Sequence, residues 1–138
     1  MNWIYKAYDS LRKTLRVDVL NPDYDHYTSV EHPVDSTNID AGNNYQIILC
    51  TGYRELYVQV LGDGGVTFTA YRSLSKDASD TDETDGWVDM TASFFLSGAA
   101  VVDTGDDGIL VDRMPYKVMI KYVTSDAVNG SDIWIRHS

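Results

Sequence analysis

The sequence predicts an all-β fold, an antiparallel β-sandwich or jelly roll carrying an N-terminal arm. Three observations carry that expectation. Most of the 138 residues alternate apolar and polar with a period of two, the spacing at which side chains leave opposite faces of a strand. The alternating runs are short and are separated by clusters of Gly, Asp, Asn and Ser that read as turns. No helix-period segment lies between them, which argues against an α/β arrangement.

The elements follow in chain order. Residues 15–19 (Leu-Arg-Val-Asp-Val) put Leu15, Val17 and Val19 on one face and the charges on the other. Residues 21–44, with Pro22, Pro33 and Asp35-Ser36-Thr37-Asn38, read as a long connection with little regular structure. Residues 45–50 are more uniformly apolar, as expected at a sheet centre or in a strand covered on both sides. In residues 55–61 the inner face is Leu56, Val58 and Val60. Gly62-Asp63-Gly64-Gly65 then reads as a hairpin turn, because glycine tolerates the positive φ that tight turns need.

Residues 66–72 resume the alternation as the second strand of that hairpin. An acidic loop spans 75–86, followed by a short strand at 87–91. A second acidic turn at 103–108 leads into a strand at 109–111. Residues 116–123 place Tyr116, Val118, Ile120 and Tyr122 inward, with Lys117 and Lys121 outward. After a loop at 124–131, residues 132–137 form a final strand, expected to lie antiparallel to its predecessor. The expected core is Leu56, Val58, Val60, Phe68, Val118, Ile120, Ile133 and Ile135.

Composition bounds what such a domain does. The length suits one domain with a single core, divided here into an arm at 1–14 and a sandwich at 15–138. The formal net charge is −10, a surface that repels phosphate and excludes a general nucleic-acid-binding role. A lone cysteine, Cys50, rules out a disulfide framework and a multi-cysteine zinc site. His26, His32 and His137 are too few and too scattered for a histidine-rich metal centre. No apolar run approaches the ~20 residues of a membrane helix. The first residues lack the basic-then-apolar order of a signal peptide.

The charge is uneven. Within residues 1–16, Lys6, Arg12, Lys13 and Arg16 outnumber Asp9 by three, which leaves −13 on the rest of the chain. Ile4, Tyr8, Leu11 and Leu15 are spaced to share one helical face, while the Trp, Ile, Tyr and Thr content suits an extended arm equally well. A terminus carrying this much apolar surface makes sense when it packs on another surface, such as a neighbouring copy's acidic body; the alternative is an arm folded back on its own sandwich as an edge strand or short helix. The candidate interface residues are therefore Trp3, Ile4, Tyr5, Tyr8, Leu11, Arg12 and Lys13, with an acidic partner surface guiding the docking.

Candidate chemistry is sparse. The carboxylates of residues 77–85 could attract calcium, but an EF-hand counted from Asp80 would need its bidentate Glu where Thr91 stands. A solvated, mobile loop is the expectation, with no metal bound. These acids lie among Ser, Thr and Gly, where water keeps carboxylates ionised and unsuited to acid–base catalysis. Gly-x-Ser-x-Gly and phosphate-cradling glycine loops are absent. Cys50, in an apolar run, reads as a small core residue. No catalytic residue, cofactor or enzyme activity is expected. Of the ten tyrosines, Tyr24, Tyr27, Tyr45 and Tyr53 fall in or beside loops, where the ring's apolar body and polar tip suit interfaces and sugar clefts alike.

From about residue 54 onward the chain resembles a β-sandwich module of tailed-bacteriophage structural proteins, particularly capsid decoration (cement) proteins. The resemblance rests on the 55–72 pair of runs leading into an acidic loop, the Gly86-Trp87 strand opener, and the closing pair 116–123 and 133–136 around a Ser/Asp/Gly loop. Ala7-Tyr8-Asp9 followed by Leu15-Arg16-Val17 is similar to the Leu-Arg-Val arm of phage virion proteins. The chain departs from that pattern in its longer insertion at 76–85, and in Tyr-Lys-Val-Met-Ile-Lys where Leu-Arg-Val-Arg is commoner. The resemblance implies a non-enzymatic virion protein on the capsid surface, made in the host cytoplasm and binding the major capsid protein or other virion proteins as a homo-oligomer, a trimer by preference. The alternative is a glycan- or receptor-binding module of a phage tail or cell-surface protein. A third possibility, a small hydrolase, would require a concave pocket holding a carboxylate pair or triad.

Overall fold

A strand that buries every second side chain must find another layer to bury it against. In the computed structural model, which describes residues 30–35, 39–63, 65–102, 105–124 and 130–138, two antiparallel sheets do this for each other. The strands are β1 (Val30–Val34), β2 (Gly42–Leu49), β3 (Glu55–Gly62), β4 (Val66–Ser73), β5 (Val88–Asp89), β6 (Val101–Val102), β7 (Gly105–Val111), β8 (Lys117–Thr124) and β9 (Ser131–His137). One helical turn, α1 (Thr91–Phe94), interrupts them. The four-stranded sheet has the order β1-β9-β3-β7, and the five-stranded sheet runs β2-β8-β4-β5 with β6 also on β4. The fold is an all-β antiparallel sandwich, as the alternation predicts. The N-terminal arm, the expected strand at 15–19 and the boundary between them lie outside the described residues.

The core forms between the sheets. Leu56, Val58, Val60, Ile133 and Ile135 from one sheet meet Val66, Phe68, Ala70, Val118 and Ile120 from the other, all essentially without solvent contact. Every residue of the expected core is buried. Cys50 joins this cluster as a small apolar residue.

Strand partners differ from the expectation in both proposed hairpins. β3 pairs with β7 and β9, whereas β4 pairs with β5, β6 and β8. The turn through Gly65, at φ 94°, therefore carries the chain from one sheet to the other. Likewise β8 pairs with β2 and β4, while β9 pairs with β1 and β3. Both edges of β3 are already filled, so β4 can only face it across the core. Alternation specifies which face is buried and leaves the hydrogen-bonding neighbour open.

Several further segments depart from expectation. Residues 30–34 and 42–44, read as connection, belong to β1 and β2. Among the described strands β2 lies at a sheet edge, with Leu49 exposed, not at a covered centre. The second acidic turn is largely strand, since Gly105-Asp106-Asp107-Gly108 opens β7 against β3. In the 87–91 segment only Val88–Asp89 is strand, because α1 starts at Thr91. Tyr116, expected inward, precedes β8 and stays exposed, whereas Tyr122 packs on Phe68 with ring centroids 6.3 Å apart.

Candidate functional site

Each sheet has an outer face, and the two are treated differently. On the five-stranded sheet, Lys117 and Lys121 of β8 point away from the core, as the alternation requires. Lys117 is nevertheless only 4% exposed. The acidic loop after β4 folds back over it, and its ammonium donates to the Ala78 carbonyl at 2.6 Å, the Asp80 carboxylate at 2.9 Å and the Lys76 carbonyl at 3.2 Å. The Trp87 ring lies beside the same ammonium, 5.3 Å from its centroid. A charge removed from water needs such acceptors.

Four residues along, Lys121 donates to Glu83, which also accepts from the Tyr45 hydroxyl at 2.8 Å. The Lys121 hydrogen bond holds the Glu83 carboxyl down at about 2. Trp87 Nε1 donates to the Ser79 carbonyl at 2.7 Å, and Ser73 Oγ donates to the Gly86 carbonyl at 2.7 Å. The expectation of a free, solvated loop is thus corrected: two lysines spaced for one strand face fasten it to the sheet. Most of its carboxylates still face solvent, and they do not converge as a trio of metal-ligating groups.

The four-stranded sheet turns a different face outward. Tyr57 and Gln59 of β3, Asp107, Ile109 and Val111 of β7, and Trp134 and Arg136 of β9 alternate with buried residues. Ile109, Val111 and the β1 residue Val30 are exposed apolar side chains. Cross-strand pairing sets Tyr57 beside both Ile109 and Arg136, and Gln59 beside both Asp107 and Trp134. The Arg136 guanidinium lies 5.3 Å from the Tyr57 ring centroid, a cation–π contact. The Tyr57 hydroxyl donates to Asp107 at 2.9 Å, which raises the pKa of the phenol. Two shallow depressions share this surface, one of about 430 Å³ around Tyr57, Ile109, Val111 and Arg136, the other of about 250 Å³ around Val30, Gln59 and Trp134.

Two groups with reactive potential, Cys50 and His137, are set up as packing. Cys50 is buried and its thiol is pushed up to about 11 by desolvation, the reverse of a reactive thiolate. His137 stacks on Tyr53 with centroids 4.2 Å apart, and burial lowers its pKa. Of the tyrosines singled out in the sequence, Tyr45 secures the acidic loop and Tyr53 covers His137, while Tyr24 and Tyr27 lie outside the described residues. So do all seven candidate interface residues, Trp3, Ile4, Tyr5, Tyr8, Leu11, Arg12 and Lys13. The sequence reading missed Tyr57, Trp134 and Arg136 as a joint surface. Their signal was present as the outward positions of strands whose inward positions were correctly read.

No protein-family model and no curated protein matches the chain. Among solved structures it is similar to the SPBc2 prophage-derived protein YomS, at 14% identity over 79% of this chain and 95% of that one, with a TM-score of 0.47. The Yersinia pseudotuberculosis-derived mitogen is similar at 7% identity over 79% of this chain and 85% of its own, with a TM-score of 0.43. The coat protein of Tobacco streak virus is similar at 8% identity over 80% of this chain and 86% of its own, with a TM-score of 0.32. These are likenesses of strand layout; the fold assignment rests on the two sheets themselves.

What the outward face can do follows from its composition. Aromatic rings, aliphatic side chains and an arginine on a rigid sheet suit contact with a protein surface, where these residue types concentrate binding energy.

Proposed function

We propose that this chain is a non-enzymatic structural protein of a phage virion that decorates the capsid shell and stabilises it by binding capsomers. The observation that carries the reading is the outer face of the four-stranded sheet, where Tyr57, Ile109, Val111, Trp134 and Arg136 are presented together. The sequence resemblance to capsid decoration proteins supports the same reading. In this reading the partners are the major capsid protein and further copies of the chain, a trimer by preference. The arm residues Trp3, Ile4, Tyr5, Tyr8, Leu11, Arg12 and Lys13 supply a second contact. Many weak subunit contacts repeated over a shell stabilise it by mass action.

The groove between Val30, Tyr57, Gln59, Trp134 and Arg136 also favours a second reading, a glycan- or receptor-binding module. An aromatic platform beside planar polar groups is the arrangement that sugar rings stack on.

Native mass measurement followed by co-sedimentation with candidate phage shells tests the first reading. The intact protein is expected to form an oligomer and to pellet with shells, and I109D/V111D is expected to stay folded and remain in the supernatant. A protein that is monomeric and sediments with no shell, yet binds immobilised glycans in a Trp134-dependent way, would establish the second reading instead.

A further inference from the structure

The described part of β1 begins as a regular edge strand and does not stay one. Its pairing with β9 runs Val30↔Arg136 and Glu31↔Ile135, then shifts register before Val34↔Ile133. Pro33 lies inside that shift. Without it, His32 and Val34 would share a face. With it, Val34 enters the core while His32 lies on the outward-facing Trp134, ring centroids 4.4 Å apart and planes 12° from parallel. The bulge turns Val34 inward, while His32 keeps the outward position opposite Trp134 that the register of Val30 and Glu31 sets.

The outward-facing imidazole meets two carboxylates. His32 Nε2 is 2.9 Å from Asp132 Oδ1 at the start of β9, and Nδ1 is 3.9 Å from Asp35 Oδ2 just past β1. One potential ligand atom from each of the three residues lies within 4.8 Å of the other two. Among the described residues this is the one trio of His, Cys, Asp or Glu side chains so placed.

We propose that His32, Asp35 and Asp132 form a binding site for a divalent transition metal ion, with Zn²⁺ the ion that their chemistry suits best. One imidazole nitrogen and two carboxylate oxygens make a mixed donor set, whereas calcium and magnesium take oxygen ligands throughout. Zinc bonds of about 2.0–2.2 Å place neighbouring tetrahedral ligands roughly 3.3 Å apart, so the His32–Asp132 separation needs little change. The Trp134 stack holds the ring plane. The Asp132 side chain is 13% exposed and so largely fixed, while that of Asp35, 73% exposed, is free to swing in as third ligand. Water completes the coordination. A +2 ion offsets two carboxylates in a chain of net charge −10, and it ties the edge strand β1 to β9. This site goes beyond the proposed virion role and does not depend on it.

The test uses the full chain stripped with EDTA, titrated with zinc chloride by calorimetry and followed by thermal unfolding. One zinc per chain and a rise in Tm that EDTA reverses are expected, since an ion that binds the native state stabilises it. H32A is expected to lose both responses, and D35N, altered at an exposed side chain, to stay folded and bind on the order of tenfold or more weaker. In the NMR spectrum, zinc should shift the His32 imidazole resonances ahead of those of His26 and His137. No heat and no Tm change at millimolar zinc would overturn the proposal. So would an equal response from H32A, unchanged affinity in D35N, or an equal response to calcium.

Discussion

The ring of Phe94 occupies the space that a side chain on Gly108 would need. A Cβ built at residue 108 would overlap three atoms of that ring. Phe94 is on α1 and Gly108 is in β7 opposite Val58, so one glycine lets the helical turn seat its aromatic in the core. G108A is therefore expected to destabilise the fold by about 1–3 kcal/mol through overpacking. Chemical denaturation measures this, and G108A/F94L should recover part of the loss. A G108A protein as stable as the parent would mean that Phe94 does not pack there.

Replacing Lys117 by methionine keeps the aliphatic stem and removes the ammonium that three loop acceptors share. The loop is expected to detach from β8, with faster proteolysis between residues 76 and 86. A stability loss of about 1.5–3 kcal/mol should accompany it, the usual range for hydrogen bonds made by a charged group. Unchanged proteolysis would show that Lys121 and Trp87 hold the loop by themselves.

Glu83 gives the loop a pH dependence of defined sign. Its carboxyl is held at about 2 instead of its ordinary 4.5, chiefly by the Lys121 hydrogen bond. The folded state therefore holds the proton less tightly than the unfolded one. The stabilisation is fully present above about pH 4.5 and is lost as the pH falls towards 2. Urea midpoints taken across that window should fall more steeply for the parent than for E83Q. Parallel curves would mean that the Glu83–Lys121 pair adds nothing to stability.

Deleting residues 1–13 tests the arm. The truncated protein is expected to keep a near-normal melting curve at low concentration while losing oligomerisation or shell binding. Unfolding of the truncated monomer would instead place Trp3, Ile4 and Tyr8 in its own core.

The inward faces of β3, β4, β8 and β9 were legible in the sequence. Leu56, Val58 and Val60 recur at every second position, and a period-two pattern states directly which side is buried. The lysines of β8 were legible only by half. Lys117 and Lys121 do leave the core, but nothing within residues 116–123 says that a loop some forty residues earlier covers them.

His32 shows the same limit. Alternation alone would group it with Val34, and the register shift against β9 separates the two.

By itself the sequence determined the all-β class, the buried face of most strands and the residues of the core. These properties follow from side-chain polarity at spacings of two, which act within a single strand. Tertiary structure alone decided the rest: that β3 faces β4 across the core, that β9 joins β1 and β3, that the acidic loop closes over Lys117, and that Asp132 meets His32. Each of these depends on which strand edges remain open once the others have paired, and on unlike groups that meet only when distant segments pack.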